Sequence, residues 1–196
     1  SVVCPVYKPV LNEFVTAVES VLAQSYHNFE LILVNDGSKD AALTAQLQAF
    51  AKRDPRVKVV SLKKNVGIAG ATNIAINKAQ GKYVAFFDHD DVLERVALEV
   101  MMREARRTKA LLLYSDEDKV DSEGRLSDPA LKPDWNYRMM LSANYLCHFV
   151  LADRQKLIEA GPLDPMYNGA QDHALLLRLS EIMPRCAIRH VPEILY

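Results

Sequence analysis

The chain has 196 residues, 49% hydrophobic and 25% charged, the balance of a soluble globular protein long enough for one domain with a full core. Lys and Arg number 24 against 25 Asp and Glu, for a net charge of −1, so there is no electrostatic case for nucleic acid or an anionic membrane as a partner. Neither an apolar run of the roughly 18 residues needed for a membrane span nor a signal-peptide pattern is found.

Residues 1–7 read as a strand that ends near Pro5. Asn12 is placed to cap a helix whose inner face is Phe14, Ala17, Val18, Val21 and Leu22. Residues 29–34 read as a buried strand ending in the polar turn Asn35-Asp36-Gly37-Ser38, and the next helix turns Leu43, Leu47, Phe50 and Ala51 inward. Residues 57–62 form a third strand, followed by Lys63-Lys64-Asn65-Val66-Gly67. A helix from about Gly70 carries Ala71, Ile74, Ala75 and Ala79 inward, with Gly81 as its stop. Residues 83–87 are a fourth strand, and Leu93, Val96, Ala97, Val100 and Met101 mark the helix behind it. Residues 110–114 are a further apolar run.

After Tyr114 the rhythm breaks. Ser115-Asp116-Glu117-Asp118-Lys119 opens a polar stretch through Asp121, Gly124, Pro129, Pro133 and Trp135, read as a long irregular connection of the kind that carries function. Residues 145–151 read as extended. Asp153 caps a short helix stopped by Gly161. A final helix turns Leu175, Leu176, Leu179, Ile182 and Met183 inward, and residues 187–191 close as a strand. The chain has no internal repeat.

Strand–helix alternation of this kind gives an α/β fold, a mostly parallel sheet sandwiched by helices. In such sheets the ligand crevice lies beyond the carboxyl ends of the strands. Tyr7, Asp36, Lys64 and Asp88 all fall just past strand ends, so four polar clusters converge on one rim. At that rim Asp88, Asp90 and Asp91 follow a buried strand. Carboxylates so close repel one another and lose water, a conflict that a hard divalent cation resolves while keeping positions open for phosphate oxygens. Cys4, Cys147 and Cys186 are far apart and form neither a metal-ligand pair nor a disulfide framework, which points to a reducing compartment.

These residues together resemble the family-2 inverting glycosyltransferases of the GT-A fold, in particular a branch found in bacterial polysaccharide and O-antigen assembly. The resemblance covers nearly the whole chain. Residues 1–7 resemble the family's first strand, and Val34-Asn35-Asp36-Gly37-Ser38 its second-strand motif. Asn65-Val66-Gly67 with Ala71-Thr72-Asn73 is similar to its third-strand loop and following helix. Asp88-His89-Asp90 resembles its metal-binding motif, and Asn168-Gly169-Ala170-Gln171-Asp172 the motif of its catalytic base. Three features depart from the family pattern. Thr72 stands where many members have Arg, and Gln171 where many have Glu. The branch also continues past Tyr196 with a His-Trp pair. The chain opens directly on one apolar run and stops just after another, as a domain excised from a longer protein would.

The resemblance implies a single GT-A domain whose residues 1–114 bind the nucleotide sugar and whose residues 115–196 bind the acceptor and catalyse. It implies Pro5, Tyr7, Asp36, Lys64, Asn65, Gly67, Asn73, Asp88 and His89 as nucleotide-sugar contacts. Asp88 and Asp90 would hold Mn²⁺ or Mg²⁺, and Asp172 would be the general base. Each has a plainer alternative. Asp36 is either an acceptor for a pyrimidine imide or an Asx-turn or helix cap; Asp172 is either the base or an N-cap; Asp91 is read as a helix cap. His89 is read as a spectator between its neighbours, and His148, His173 and His190 have no zinc-like spacing. Asp116, Glu117 and Asp118 bind acceptor hydroxyls or form a solvated loop, and Trp135 stacks on a sugar or packs in the core.

The implied reaction moves a sugar from a UDP- or dTDP-sugar to a glycan, on a lipid or protein carrier, at the cytoplasmic side and, through the rest of the protein, at the inner face of the membrane. A sugar nucleotidyltransferase is the rival enzyme, disfavoured because Val6-Tyr7-Lys8-Pro9 is no Gly-rich phosphate loop. A non-catalytic glycan-binding module is the rival of another class.

Overall fold

The structure is a computed structural model that describes residues 1–121 and 123–196. One sheet of eight strands runs through both halves of the chain. Its centre is β1 (Val2–Val6), which pairs in parallel with β2 (Leu31–Asn35) and β4 (Tyr83–Phe86); β2 pairs in parallel with β3 (Val57–Ser61). Side chains alternate between faces, as the pleat requires. Val2, Cys4, Val6, Leu31 and Leu33 face one core cluster, and Val3, Ile32 and Val34 face the other. Both faces are covered, so these strands read as near-continuous apolar runs.

Helices α1 (Leu11–Leu22), α2 (Ala41–Arg53) and α4 (Ala97–Thr108) contribute Phe14, Val18, Leu47, Phe50, Leu98 and Met101 to the first cluster. Helices α3 (Gly67–Lys78), α6 (Arg154–Ala160) and α7 (Gln171–Ile182) supply Ala71, Ala75, Leu157, Leu175 and Leu179 to the second. Asp40 caps α2 by accepting from the amides of Ala42 and Leu43. Asp153 caps α6 and Gly161 ends it, as expected.

Three local expectations fail. Asn12 is not a cap: α1 starts at Leu11 after Val10, with no side-chain cap, because Leu11 packs against the core. Helix α3 ends at Lys78 with extended backbone at Ala79, so Gly81 lies in the turn beyond rather than at the stop. Asp91 caps nothing, since α4 begins at Ala97. The segment between Asp91 and α4 is instead pinned to the end of α1. Buried Leu93 donates its amide to Ser20 Oγ at 3.1 Å, and the fully buried Gln24 bridges Glu94 O (2.7 Å) and the Leu98 amide (2.9 Å).

The stretch after Tyr114 is also more ordered than its composition suggests. β5 (Leu112–Val120) runs straight through Ser115–Lys119, pairing in parallel with β8 (Ile188–Ile194) and antiparallel with β6 (Leu126–Ala130). Asp, Glu and Lys are poor strand formers, and tertiary pairing overrides that preference. The sheet is mostly rather than wholly parallel. β7 (Val150–Asp153) inserts antiparallel between β4 and β5, giving the order β3-β2-β1-β4-β7-β5-β6 with β8 on β5. The helix α5 (Tyr137–Ser142) precedes it, capped by Asn136. Among the described residues no helix is long and apolar enough to cross a membrane.

The turn after β2 fixes the rim. Gly37 has φ +74°, and a Cβ there would stand 2.6 Å from both Asn65 N and Lys64 C. Those are backbone atoms that have no rotamer in which to escape. Gly37→Ala is therefore expected to lower stability by at least about 2 kcal/mol, from left-handed backbone strain and the collision together, read as a fall in the denaturant midpoint.

Candidate active site

The rim is built from the inside outward. Asn35, buried at the end of β2, takes the Ser38 amide on its Oδ1 at 2.9 Å, and Ser38 Oγ accepts from the Lys8 amide at 2.9 Å. This ties the ends of β1 and β2 together. Asp36 ties in the third loop. Its carboxylate, 2% exposed, accepts from the Val66 amide (2.7 Å), the Gly67 amide (3.0 Å) and Asn65 Nδ2 (2.8 Å). Asp36 thus caps α3 from another part of the chain, where the helix lacks a cap of its own. The plainer of the two readings of Asp36 holds, at a different helix from the one that follows it in sequence.

Two clefts open above this frame. The first, about 430 Å³, is lined by Pro5, Tyr7, Asp36, Asn65, Gly67, Asp88, His89 and Asp90, so most of the expected nucleotide-sugar contacts meet there. Tyr7 is 43% exposed, with Lys8 Nζ 5.2 Å from its ring centre. The second, about 180 Å³, is lined by Asp88, Cys147, His148, Gln171 and Asp172 over an apolar floor that includes Leu175 and Leu176. Pro5, Ile68 and Asp88 belong to both, so the clefts are adjacent.

Several expected contacts are elsewhere. Lys64 is exposed and lines neither cleft. Asn73 also lines neither, because its amide is spent on the backbone of Leu163, donating to O and accepting from N at 2.8 Å each; it fastens α3 to the loop after α6. Asp116 is no acceptor contact. It is 4% exposed and its Oδ1 accepts from the Lys132 amide (2.8 Å) and meets His190 Nε2 (2.7 Å). Asp118 lines neither cleft. Trp135 is half-buried, stacks on Tyr145 and borders a separate hollow with Arg185 and Arg189, so the core-packing alternative holds for it. Asp172 is not an N-cap: it lies in the first turn of α7, after Ala170, which makes no side-chain cap. Gln171 Oε1 turns back to the Gly169 amide at 2.6 Å.

The residue that the sequence missed is His148. The register of β7 on β4 sets Val150 opposite Phe86. Continuing antiparallel, the residue two before Val150 comes beside the residue two after Phe86, and His148 Nε2 lies 3.1 Å from Asp88 Oδ2. Asp91 joins them: one ligand atom from each of Asp88, Asp91 and His148 falls within 4.8 Å of the others. Asp90 stands outside this group, exposed and facing the first cleft. Two carboxylate oxygens and an imidazole nitrogen form a donor set that fits a divalent cation of the Mn²⁺ type.

The surroundings reinforce the charge conflict. Burial, then the charges of Asp88 and Asp90, raises the Asp91 carboxyl above its usual range against a hydrogen bond from Tyr196. Burial alone would lower the His148 pKa, but the hydrogen bond to Asp88 and the charges of Asp88, Asp91 and Glu117 outweigh it and raise it. The Tyr196 ring stacks on His148 at 5.0 Å, and its hydroxyl accepts from the Asp88 amide at 3.2 Å. Glu117 accepts the His148 amide and meets Lys132 Nζ at 3.1 Å; Lys132 also donates to the carbonyls of Leu146 and His148. Glu117 therefore braces the segment that carries His148 and is not free for an acceptor.

The model of glycosyl transferase family 2 matches residues 1–155. The uncharacterised protein y4gI of Sinorhizobium fredii is 39% identical over 197 residues, covering all of this chain and 22% of that protein. The O-antigen biosynthesis protein RfbC of Myxococcus xanthus is 35% identical over all of this chain and 15% of its own length. Chondroitin synthase of Escherichia coli is 30% identical over 97% of this chain and 28% of its own length. The chain thus spans under a third of each. Among solved structures, Staphylococcus aureus TarS 1–349 superposes with a TM-score of 0.81 at 19% identity, over all of this chain and 58% of that one; a crystal structure of the same fragment in complex with UDP also matches.

If the clustered side chains are cation ligands, Asp91→Asn and His148→Ala should each weaken Mn²⁺ binding to the nucleotide-free protein by about tenfold or more. Titration calorimetry reads this directly, and wild-type affinity in both variants would dismiss the cluster.

Proposed function

The chain belongs to glycosyl transferase family 2, and on that premise we propose that it transfers a sugar, with inversion, from a pyrimidine nucleotide diphosphate sugar to a hydroxyl of a glycan acceptor. The observation that supports this reading most is the juxtaposition in one cleft of Asp172 with Asp88 and His148, continuous with a second cleft lined by Tyr7 and Asp36. A donor laid across both would put its base by Tyr7 and Asp36 and its anomeric carbon between the acidic cluster and Asp172.

Each group then has a task. Asp36 keeps the 65–67 loop in place and turns its remaining acceptor capacity toward a base imide. Asp88 and Asp90 would line the path of the diphosphate. A divalent cation, Mn²⁺ or Mg²⁺, held by Asp88, Asp91 and His148 would supply the positive charge that offsets the leaving nucleoside diphosphate. Asp172 takes the proton of the acceptor hydroxyl as that oxygen bonds to the anomeric carbon. The bond from that carbon to the phosphate oxygen breaks in the same step, and its electron pair leaves with the diphosphate. The apolar floor under Asp172 keeps water from competing.

UDP is the favoured nucleotide, since TarS is found in complex with UDP and with UDP-GlcNAc. A polysaccharide or glycoconjugate acceptor is in keeping with the O-antigen and chondroitin relatives; a lipid or protein carrier and a cytoplasmic setting are part of the proposal. Residues 1–114 would serve the donor. Of the later segment, Asp172 rather than Asp116 to Asp118 would serve the acceptor.

The test is turnover of UDP-sugars with and without Mn²⁺. Asp172→Asn is expected to lower kcat by about 100-fold or more, the usual worth of a general base, while UDP-sugar affinity stays within about threefold of wild type. Full activity in that variant would remove Asp172 from the role. Absence of both metal-dependent donor binding and turnover would favour a binding module.

A further inference from the structure

The segment that carries His148 also brings two polar side chains to the carboxylate on the far side of the cleft. Asn144 Nδ2 donates to Asp172 Oδ2 at 3.0 Å, and the Cys147 thiol donates to the same oxygen at 3.2 Å. Asn144 Nδ2 also meets Cys147 Sγ at 3.3 Å, which closes a triangle. Both donors fall on one oxygen. Asp172 Oδ1 has no hydrogen-bond partner among the described residues.

The placement of Asn144 is not what stability would select. Its Oδ1 is buried and has no hydrogen-bond partner among the described residues. An unpaired buried acceptor destabilises the fold. Turning the amide over would be worse, because its carbonyl oxygen would then face a carboxylate. The contact with Asp172 therefore dictates the orientation. The Cys147 thiol reaches the same carboxylate oxygen from beside Asn144, so both donors converge on one acceptor.

We propose that Asn144 and Cys147 are positioning residues for Asp172, clamping one carboxylate oxygen so that the other is aimed at the acceptor hydroxyl. The inference rests on the reading of Asp172 as general base. A carboxylate in the first turn of a helix, over a floor of Leu175 and Leu176, otherwise has several rotamers open to it. Proton abstraction needs one of them, held within hydrogen-bond reach of the attacking oxygen. Since Cys147 and His148 are adjacent, the same short segment sets the base on one side and the acidic cluster on the other.

Steady-state kinetics on the full-length protein tests this, read as UDP release from UDP-N-acetylglucosamine, UDP-glucose and UDP-galactose. Asn144→Ala and Cys147→Ala should each lower kcat about tenfold, the effect expected of one hydrogen bond to a charged group, with the donor KM within about twofold. Cys147→Ser, which keeps a donor, should recover most of the loss. Should Asn144→Ala fail to fold, Asn144→Ser and the Cys147 pair carry the kinetic comparison. Wild-type kcat in both alanine variants, a loss confined to KM, or no recovery in Cys147→Ser would each overturn the clamp. Full activity of Asp172→Asn, or no UDP release by the wild type from any of the three donors, would instead overturn the functional reading beneath it, and the clamp with it.

Discussion

The pairing of β7 with β4 is the constraint on which the rest of the site depends. Val150 opposite Phe86 is an ordinary antiparallel match between apolar residues. Its consequence is that Asp88 and His148, sixty residues apart, lie side by side where the two strands leave the sheet. Strand pairing has a period of two, so a slip of one residue would turn His148 to the other face. The register is fixed by burial of Val150, Leu151 and Ala152 against Val84, Ala85 and Phe86, not by anything polar. Apolar packing thus sets polar geometry.

Carboxylates crowd this rim, and the fold offsets them unevenly. Asp36 accepts three donors from the 65–67 loop, and Asp116 meets the Lys132 amide and His190. These are buried charges made tolerable by hydrogen bonding, and they act as ties between loops. Glu117 is similarly matched by Lys132, whose own pKa burial lowers and Glu117 partly restores. Asp88, Asp91 and Asp172 are the exceptions. All three are half-buried; Asp88 and Asp172 line the second cleft and Asp91 stands beside Asp88 and His148, the condition expected of groups that complete their bonding with a ligand.

Asp36 illustrates how a residue can be correctly singled out and incompletely understood. The turn Asn35-Asp36-Gly37-Ser38 announces a polar strand end, and Asp36 does reach the first cleft. Yet its carboxylate caps α3, which begins at Gly67, and the tight turn at Gly37 brings the two loops together. One side chain is both a structural tie and part of the cleft wall. Any loosening of the 65–67 loop would alter the cleft even if no ligand contact were lost.

Local pattern was enough for the apolar strands 2–6, 31–35, 57–61 and 83–86, for the inner faces of α1, α2 and α7, and for the caps at Asp153 and Gly161, because those follow from periodicity and from backbone groups a few residues away. Convergence of strand ends on one rim was legible too, since alternating strands and helices leave a parallel sheet few other topologies. The strand nature of Ser115–Lys119 was not, because pairing with β8 overrode a poor local preference. Nor could spacing reveal that Asp91 belongs with His148, that Asn73 serves Leu163, or that Asn144 and Cys147 meet Asp172. Those contacts join residues far apart in the chain, and only the register of an antiparallel strand inserted into a parallel sheet decides them.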